Sequence, residues 1–242
     1  MILLNTEKFC WLKDNSLILS IDTSTTVCSV ALHDQGKILA ATELNVEKSH
    51  SEQLIIIIQQ LLKSVAIKMT DLKAVAIASG PGSYTGLRIG TSTAKGFCYT
   101  LEIPLLAVNT LEAMLYNVNM YMPEALFCPM LDARRMEVYC LIADAHKQIL
   151  KPTEAVIVDE SSFNDILSEN PVVFFGNGSE KCKEVVGTKA NVIFVDNITT
   201  SAKGVGEAAW KKFVNKEFED VAYFEPFYLK EFKAIKPKPF KV

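Results

Sequence analysis

Leu17-Ile18-Leu19-Ser20-Ile21-Asp22 is an apolar run that closes on a carboxylate, and Ala125-Leu126-Phe127-Cys128-Pro129-Met130-Leu131-Asp132 repeats the pattern. After the first run come a polar turn, Thr23-Ser24-Thr25-Thr26, and a strand from Val27 to Leu32. The turn Asp34-Gln35-Gly36-Lys37 then leads into a strand from Ile38 to Leu44, which reads as a hairpin. After the second run come Ala133-Arg134-Arg135-Met136, a strand from Glu137 to Ile142, and the turn Asp144-Ala145-His146-Lys147. An extended segment from Gln148 to Val158 completes the set. Asp22 and Ile38-Leu39 therefore have counterparts in Asp132 and Ile149-Leu150, with one residue of drift. The repeated order predicts duplication of one α/β unit.

Each meander is followed by helix and strand signals. In the first half these are a helix from about Ser51 to Lys68, the buried strand Ala74-Val75-Ala76-Ile77-Ala78, and a helix after Thr85. In the second half they are a helix over Ser162 to Glu169 and strands at Val172 to Phe175 and Asn191 to Val195. A long helix from Ser201 to Lys216 closes that half. A three-stranded antiparallel meander followed by helix, strand and helix describes the ribonuclease-H-like unit. Two such lobes make the actin, Hsp70 and sugar-kinase (ASKHA) architecture. The expected division is an extension over 1–15, a first lobe over 16–112, a second over 113–228 and a basic tail over 229–242.

Composition bounds the function. A chain of 242 residues with 49% hydrophobic content can bury one large core or two smaller ones. The net charge of −3 provides no broad basic platform for nucleic acid. The opening Met-Ile-Leu-Leu is too short for a secretory signal, and apolar runs such as Leu54 to Ile58 are too short to span a bilayer. Cys10, Cys28, Cys98, Cys128, Cys140 and Cys182 form no C-x-x-C pair and no metal spacing, so buried free thiols in a reducing cytoplasm are expected.

Ser79-Gly80-Pro81-Gly82-Ser83-Tyr84-Thr85-Gly86-Leu87-Arg88-Ile89-Gly90 joins a strand to a glycine-rich helix start. Free N–H groups and the helix dipole there suit an anion, although neither a Walker loop nor G-x-G-x-x-G is present. Asp22, Thr23, Ser24, Gly82, Ser83 and Arg88 are the candidate anion or nucleotide contacts. The competing readings are a tight turn with close helix packing, and an Asx-type cap for Asp22. His33, His50 and His146 stand far apart, without H-x-x-x-H or H-E-x-x-H. No metal site and no independent catalysis are therefore expected, and His50 is assigned to a cap or turn.

The helices carry surplus apolar surface. Leu54, Ile58, Leu61 and Val65 form one stripe, and Ile55, Ile56, Ile57 and Leu62 spread beyond it. Gly86, Gly90 and Ala94 recur every four residues, which suits close helix docking. Leu54, Ile55, Ile56, Ile57, Leu62, Gly86, Gly90 and Ala94 form the candidate partner interface, with packing inside the chain's own core as the other reading. In the tail, Lys230, Lys233, Lys236 and Lys238 lie among Phe232, Phe240 and prolines, as in segments that track phosphates and stack on bases.

The chain resembles the TsaB (YeaZ) family. The resemblance is carried by Leu19 to Ser24, Ser49 to Glu52, Ser79 to Gly90, Leu131 to Arg134 with Glu137 to Tyr139, and Pro226 to Leu229. It covers about residues 17 to 232, and Gly80 to Gly90 is its most specific part. It implies a non-catalytic subunit that pairs with a TsaD-like transferase, or with itself, and works with a TsaE-like ATPase. The implied product is threonylcarbamoyladenosine (t6A) beside the anticodon of tRNAs reading codons that begin with A. By the same implication no cofactor binds tightly, the metal and nucleotide belong to the partner, and a nucleotide site at their interface stays open. Two other classes remain: an actin-like kinase or ATPase, and a self-associating scaffold unrelated to tRNA.

Overall fold

The computed structural model describes residues 16–46, 50–120 and 122–230. The expected extension 1–15 and the tail residues Lys233, Lys236 and Lys238 lie outside them.

Strand β1 (Leu17–Asp22) pairs antiparallel with β2 (Val27–Asp34), which pairs antiparallel with β3 (Lys37–Asn45). Helix α1 (His50–Ser64) and a 3-10 turn at Met69–Asp71 lead to β4 (Ala74–Gly80), parallel to β1 with Ile21 opposite Ile77. Helix α2 (Tyr84–Leu101) leads to β5 (Leu105–Asn109), parallel to β4, and then to the short α3 (Thr110–Met114). The second half runs β6 (Leu126–Asp132), β7 (Glu137–Ala143), β8 (Ile149–Ile157), α4 (Asn164–Leu167) and β9 (Val172–Phe175). It ends with α5 (Lys183–Val186), β10 (Val192–Val195) and α6 (Ala202–Asn215).

The two sheets have the same order, β3-β2-β1-β4-β5 and β8-β7-β6-β9-β10. Each has one antiparallel meander and two parallel additions. The duplicated ribonuclease-H-like architecture is thus present. The central strands β1 and β4 are buried at every residue, which is why they read as continuous apolar runs rather than alternating ones. Three of the numbered elements are absent from the sequence reading: the four-residue α5, the five-residue β5, and α3, which starts directly on the end of β5 where the Asn109 side chain accepts from the Leu111 and Glu112 N–H groups.

One face of the first sheet, with Leu19, Ile21, Val30 and Ile77, packs under α1 and α2. The opposite face, with Ile18, Ala76 and Val108, is covered by Ala113 of α3 and by Val205 and Ala209 of α6. Helix α6 thus follows the second half in sequence and packs on the first sheet. Its small residues let it approach closely: a Cβ on Gly204 would stand 2.1 Å from the Ala113 carbonyl oxygen. After α6 the chain continues across the first lobe. The Glu219 N–H donates to the Leu105 carbonyl over 2.9 Å, and Val221 and Phe224 join the first core. The second core gathers Met130, Val138 and Phe174 on one face of its sheet, and Leu131, Leu141 and Phe175 on the other.

Candidate functional site

At the end of β1, the buried Asp22 turns its carboxylate back on its own loop. Oδ1 accepts from the Ser24 N–H at 2.9 Å and from the Ser24 hydroxyl at 2.6 Å. Oδ2 has no partner among the described residues. Burial pushes the carboxyl up from 3.8 to about 6, against the pull of the Ser24 hydrogen bonds. The Asx-type reading therefore describes Asp22. His50 opens α1 and donates from Nε2 to the Thr25 carbonyl at 2.7 Å, tying the same turn.

The start of α2 closes on this turn. The Ser83 N–H donates to the Ser24 carbonyl at 2.6 Å, and Ser83 Oγ caps the helix by accepting from the Gly86 N–H. A Cβ on Gly82 would stand 2.3 Å from the Ser24 carbonyl oxygen, and one on Gly90 2.3 Å from Thr23 Oγ1. Arg88 is exposed and donates to the Tyr84 hydroxyl at 2.8 Å. Of the six expected anion contacts, Asp22, Thr23, Ser24, Gly82 and Ser83 are thus drawn together by contacts within the chain, and Arg88 points to solvent. Among the described residues no group of three or more His, Cys, Asp and Glu side chains could hold a metal.

The partner-interface expectation needs a correction. Leu54, Ile57 and Leu62 are buried in the first core, and Gly86, Gly90 and Ala94 pack beneath α2 within the chain. Ile55 and Ile56 alone of that set are open, each 42% exposed. Ile55 lines an apolar groove of about 440 Å³ between α1 and α2, together with Met69, Thr93, Gly96, Phe97 and Leu101, and Ile56 lies outside that lining. A Cβ on Gly96 would meet nothing within 4 Å, and Tyr99 stands 82% exposed. The open face of α2 therefore runs through Thr93, Gly96 and Tyr99. Gly96 was the available signal: an exposed mid-helix glycine costs about 1 kcal/mol relative to Ala.

The turn between β6 and β7 has different chemistry. Asp132, counterpart of Asp22, is exposed and accepts from Lys181 Nζ at 2.6 Å and from the Arg134 N–H at 2.7 Å. Partial burial alone would raise its carboxyl, but Lys181 and Arg134 outweigh it and hold the group below the usual carboxylate range. Lys230, an expected tRNA contact, binds the Glu137 carboxylate, so its charge is already countered.

The family model for TsaD, tRNA N6-adenosine threonylcarbamoyltransferase, matches residues 38–236. The tRNA threonylcarbamoyladenosine biosynthesis protein TsaB of Bacillus subtilis (strain 168) is 32% identical over 225 residues, covering 88% of this chain and 93% of that protein. The TsaB of Escherichia coli (strain K12) is 29% identical, covering 93% and 99%. Among solved structures, YeaZ from Pseudomonas aeruginosa superposes with a TM-score of 0.74 at 22% identity, covering 88% and 100%, and bears on the fold alone. The length, the repeated sheets and these likenesses agree: the chain belongs to the TsaB (YeaZ) family, within the wider threonylcarbamoyltransferase family.

Proposed function

We propose that the chain works in the biosynthesis of threonylcarbamoyladenosine in tRNA as a non-catalytic subunit. It binds and activates a TsaD-like transferase, with a TsaE-like ATPase as a further component, for tRNAs reading codons that begin with A. The observation that carries this reading is the α1/α2 groove: an open apolar face on a lobe in which Thr23 and Ser24 pack against the glycines at the start of α2. On this reading the chain holds no nucleotide tightly by itself, and any nucleotide sits with the partner or at their interface. A second copy of the chain can use the groove too, so homodimer and heterodimer compete for one surface. No described helix is long and apolar enough to cross a membrane, and the five described cysteines are free and buried, which suits the cytoplasm.

The test is genetic. Deleting the gene and measuring tRNA nucleosides by mass spectrometry should show loss of t6A. The wild-type gene should restore it, and Ile55→Glu should not. Normal t6A in the deletion strain would overturn the reading.

A further inference from the structure

Residues 227–230 link the two lobes. The Phe227 N–H donates to the Ser79 carbonyl at 2.7 Å, and the Tyr228 ring lies 5.0 Å from that of Tyr84 at the start of α2. Three residues after Phe227, Lys230 binds Glu137 of β7 and sits 5.8 Å over the Tyr139 ring. This short crossing lays an aromatic strip from one lobe to the other. Phe227 is 43% exposed, Tyr228 37% and the neighbouring Met136 41%.

The strip ends beside unbalanced positive charge. Lys181 donates to Asp132, to the Arg135 carbonyl at 2.8 Å and to the Glu137 carbonyl. Asp132 is thus occupied by an ammonium, and Glu137 by Lys230. Arg134 and Arg135 are both exposed, and among the described residues no carboxylate makes an ion pair with either guanidinium. Lys230 and Arg134 act on the Tyr139 ring hydroxyl and Arg88 on that of Tyr228, against Glu137 and Glu225. This basic group stands on a chain whose net charge is −3.

We propose that this face is a contact for single-stranded RNA, with phosphates on Arg134 and Arg135 and bases on Tyr228 and Phe227. Guanidinium groups free of carboxylates bind phosphate oxygens in a matched fork, and open aromatic rings stack on unpaired bases. A base-paired helix offers no free base faces to such a strip, so a loop is the fitting substrate form. The face and the α1/α2 groove lie toward opposite ends of α2. Arg88 and Gly96 are eight residues apart, or about 12 Å of helix, so RNA and a protein partner can bind together. The inference rests on the reading that the chain serves tRNA modification.

Fluorescence anisotropy with a labelled anticodon stem-loop, on the full chain alone and paired with a TsaD-like subunit, tests it. The double variant Arg134→Asn/Arg135→Asn should bind roughly 10-fold more weakly and show a shallower salt dependence. Asn suits the left-handed backbone at both positions (φ 66° and 51°), so the turn itself is kept. Tyr228→Ala should weaken binding roughly 5-fold or more. Lys211→Glu, on the exposed side of α6, should change little. Wild-type affinity in the double arginine variant overturns the proposal, as does equal loss in Lys211→Glu or no RNA binding in either form. Loss of a protein partner with RNA affinity unchanged also overturns it. Failure of the tRNA reading itself is seen separately, as normal t6A in the deletion strain.

Discussion

Thr23 and Gly86 hold each other from both sides. Thr23 Oγ1 donates to the Gly86 carbonyl over 2.7 Å, and a Cβ on Gly86 would stand 2.1 Å from the Thr23 carbonyl oxygen. The first turn of α2 is therefore seated on the β1–β2 loop.

Gly86→Ala should destabilise the chain by on the order of 2–4 kcal/mol, because the Thr23 backbone must move to admit the methyl group, and Gly90→Ala by about 1–3 kcal/mol, because the buried Thr23 hydroxyl and Ile77 methyl must shift. Gly96→Ala, ten residues further along the same helix, meets open space and should stabilise the isolated chain by up to about 1 kcal/mol. Urea unfolding of the three variants measures this. Similar changes at all three positions would contradict the packing described.

The α6 docking should be equally sensitive. A Cβ on Gly206 would fall 2.0 Å from the His33 ring, which is fixed by Ser20 at 3.2 Å and by the Lys203 carbonyl at 3.1 Å. Because that carbonyl can only accept, Nε2 carries the proton and Nδ1 takes the Ser20 hydroxyl. Gly206→Ala should therefore cost about 3 kcal/mol or more. It should also speed amide exchange in β1 and β2, which α6 covers. Unaltered exchange there would contradict the packing of α6 on the first sheet.

The two lobes could be read in the chain because the strand-ending Asp22 and Asp132, with their hairpin turns, recur at nearly constant spacing. The outer surface was legible only in part. An apolar residue on α1 looks the same whether the sheet or the solvent faces it, so Ile56 and Ile57 could not be told apart without the sheet's position. Gly86 and Gly90 announced a close neighbour but not which one, and Thr23 is 63 residues from Gly86. The small residues of α6 likewise marked docking without naming the first sheet as its seat. The Arg134–Arg135 turn gained meaning only when Lys181 was seen on Asp132 and Lys230 on Glu137, contacts that span 49 and 93 residues.

Acid should act on this protein through two buried groups with opposite signs. The Asp22 carboxyl is pushed from 3.8 to about 6 by burial. As pH rises through that window the unfolded chain loses its proton first, so stability falls by about 3 kcal/mol and then levels off. Burial lowers the His33 imidazole from 6.5 to about 4. As pH falls below 6.5 the unfolded imidazole gains its proton first, so stability present above that pH is lost on the way down to about 4, again by about 3 kcal/mol. The two trends largely cancel in the wild type. In Asp22→Asn the stability gain over wild type should grow as pH rises from about 4 to about 6. A difference that stays flat across that range would contradict the buried, half-partnered carboxylate.

The thiols should be inert while the chain is folded. Burial pushes Cys98 up to about 12, and Cys28 and Cys182 up to about 11, so almost no thiolate is present at neutral pH. In a Cys10→Ser background, iodoacetamide should label the remaining five cysteines only as fast as the chain unfolds. Rapid labelling of any of them in native buffer would show an opening that the packing does not contain.

Ile56 and Ile57 give the sharpest division between surface and core. They are adjacent in α1, yet Ile56 is 42% exposed and Ile57 only 2%. Ile57→Glu places a carboxylate in the first core without a partner, and should destabilise the chain by about 3 kcal/mol or more. Ile56→Glu leaves its charge in water and should change stability by less than about 0.5 kcal/mol. Ile55, equally exposed, lines the α1/α2 groove. A partner seated on that groove would have to cover a charge at Ile55, so Ile55→Glu should abolish co-elution with the TsaD-like subunit while the melting temperature holds. Retained co-elution of a folded Ile55→Glu variant would remove the groove from the interface. A large loss of stability in Ile56→Glu would instead show that Ile56 belongs to the core.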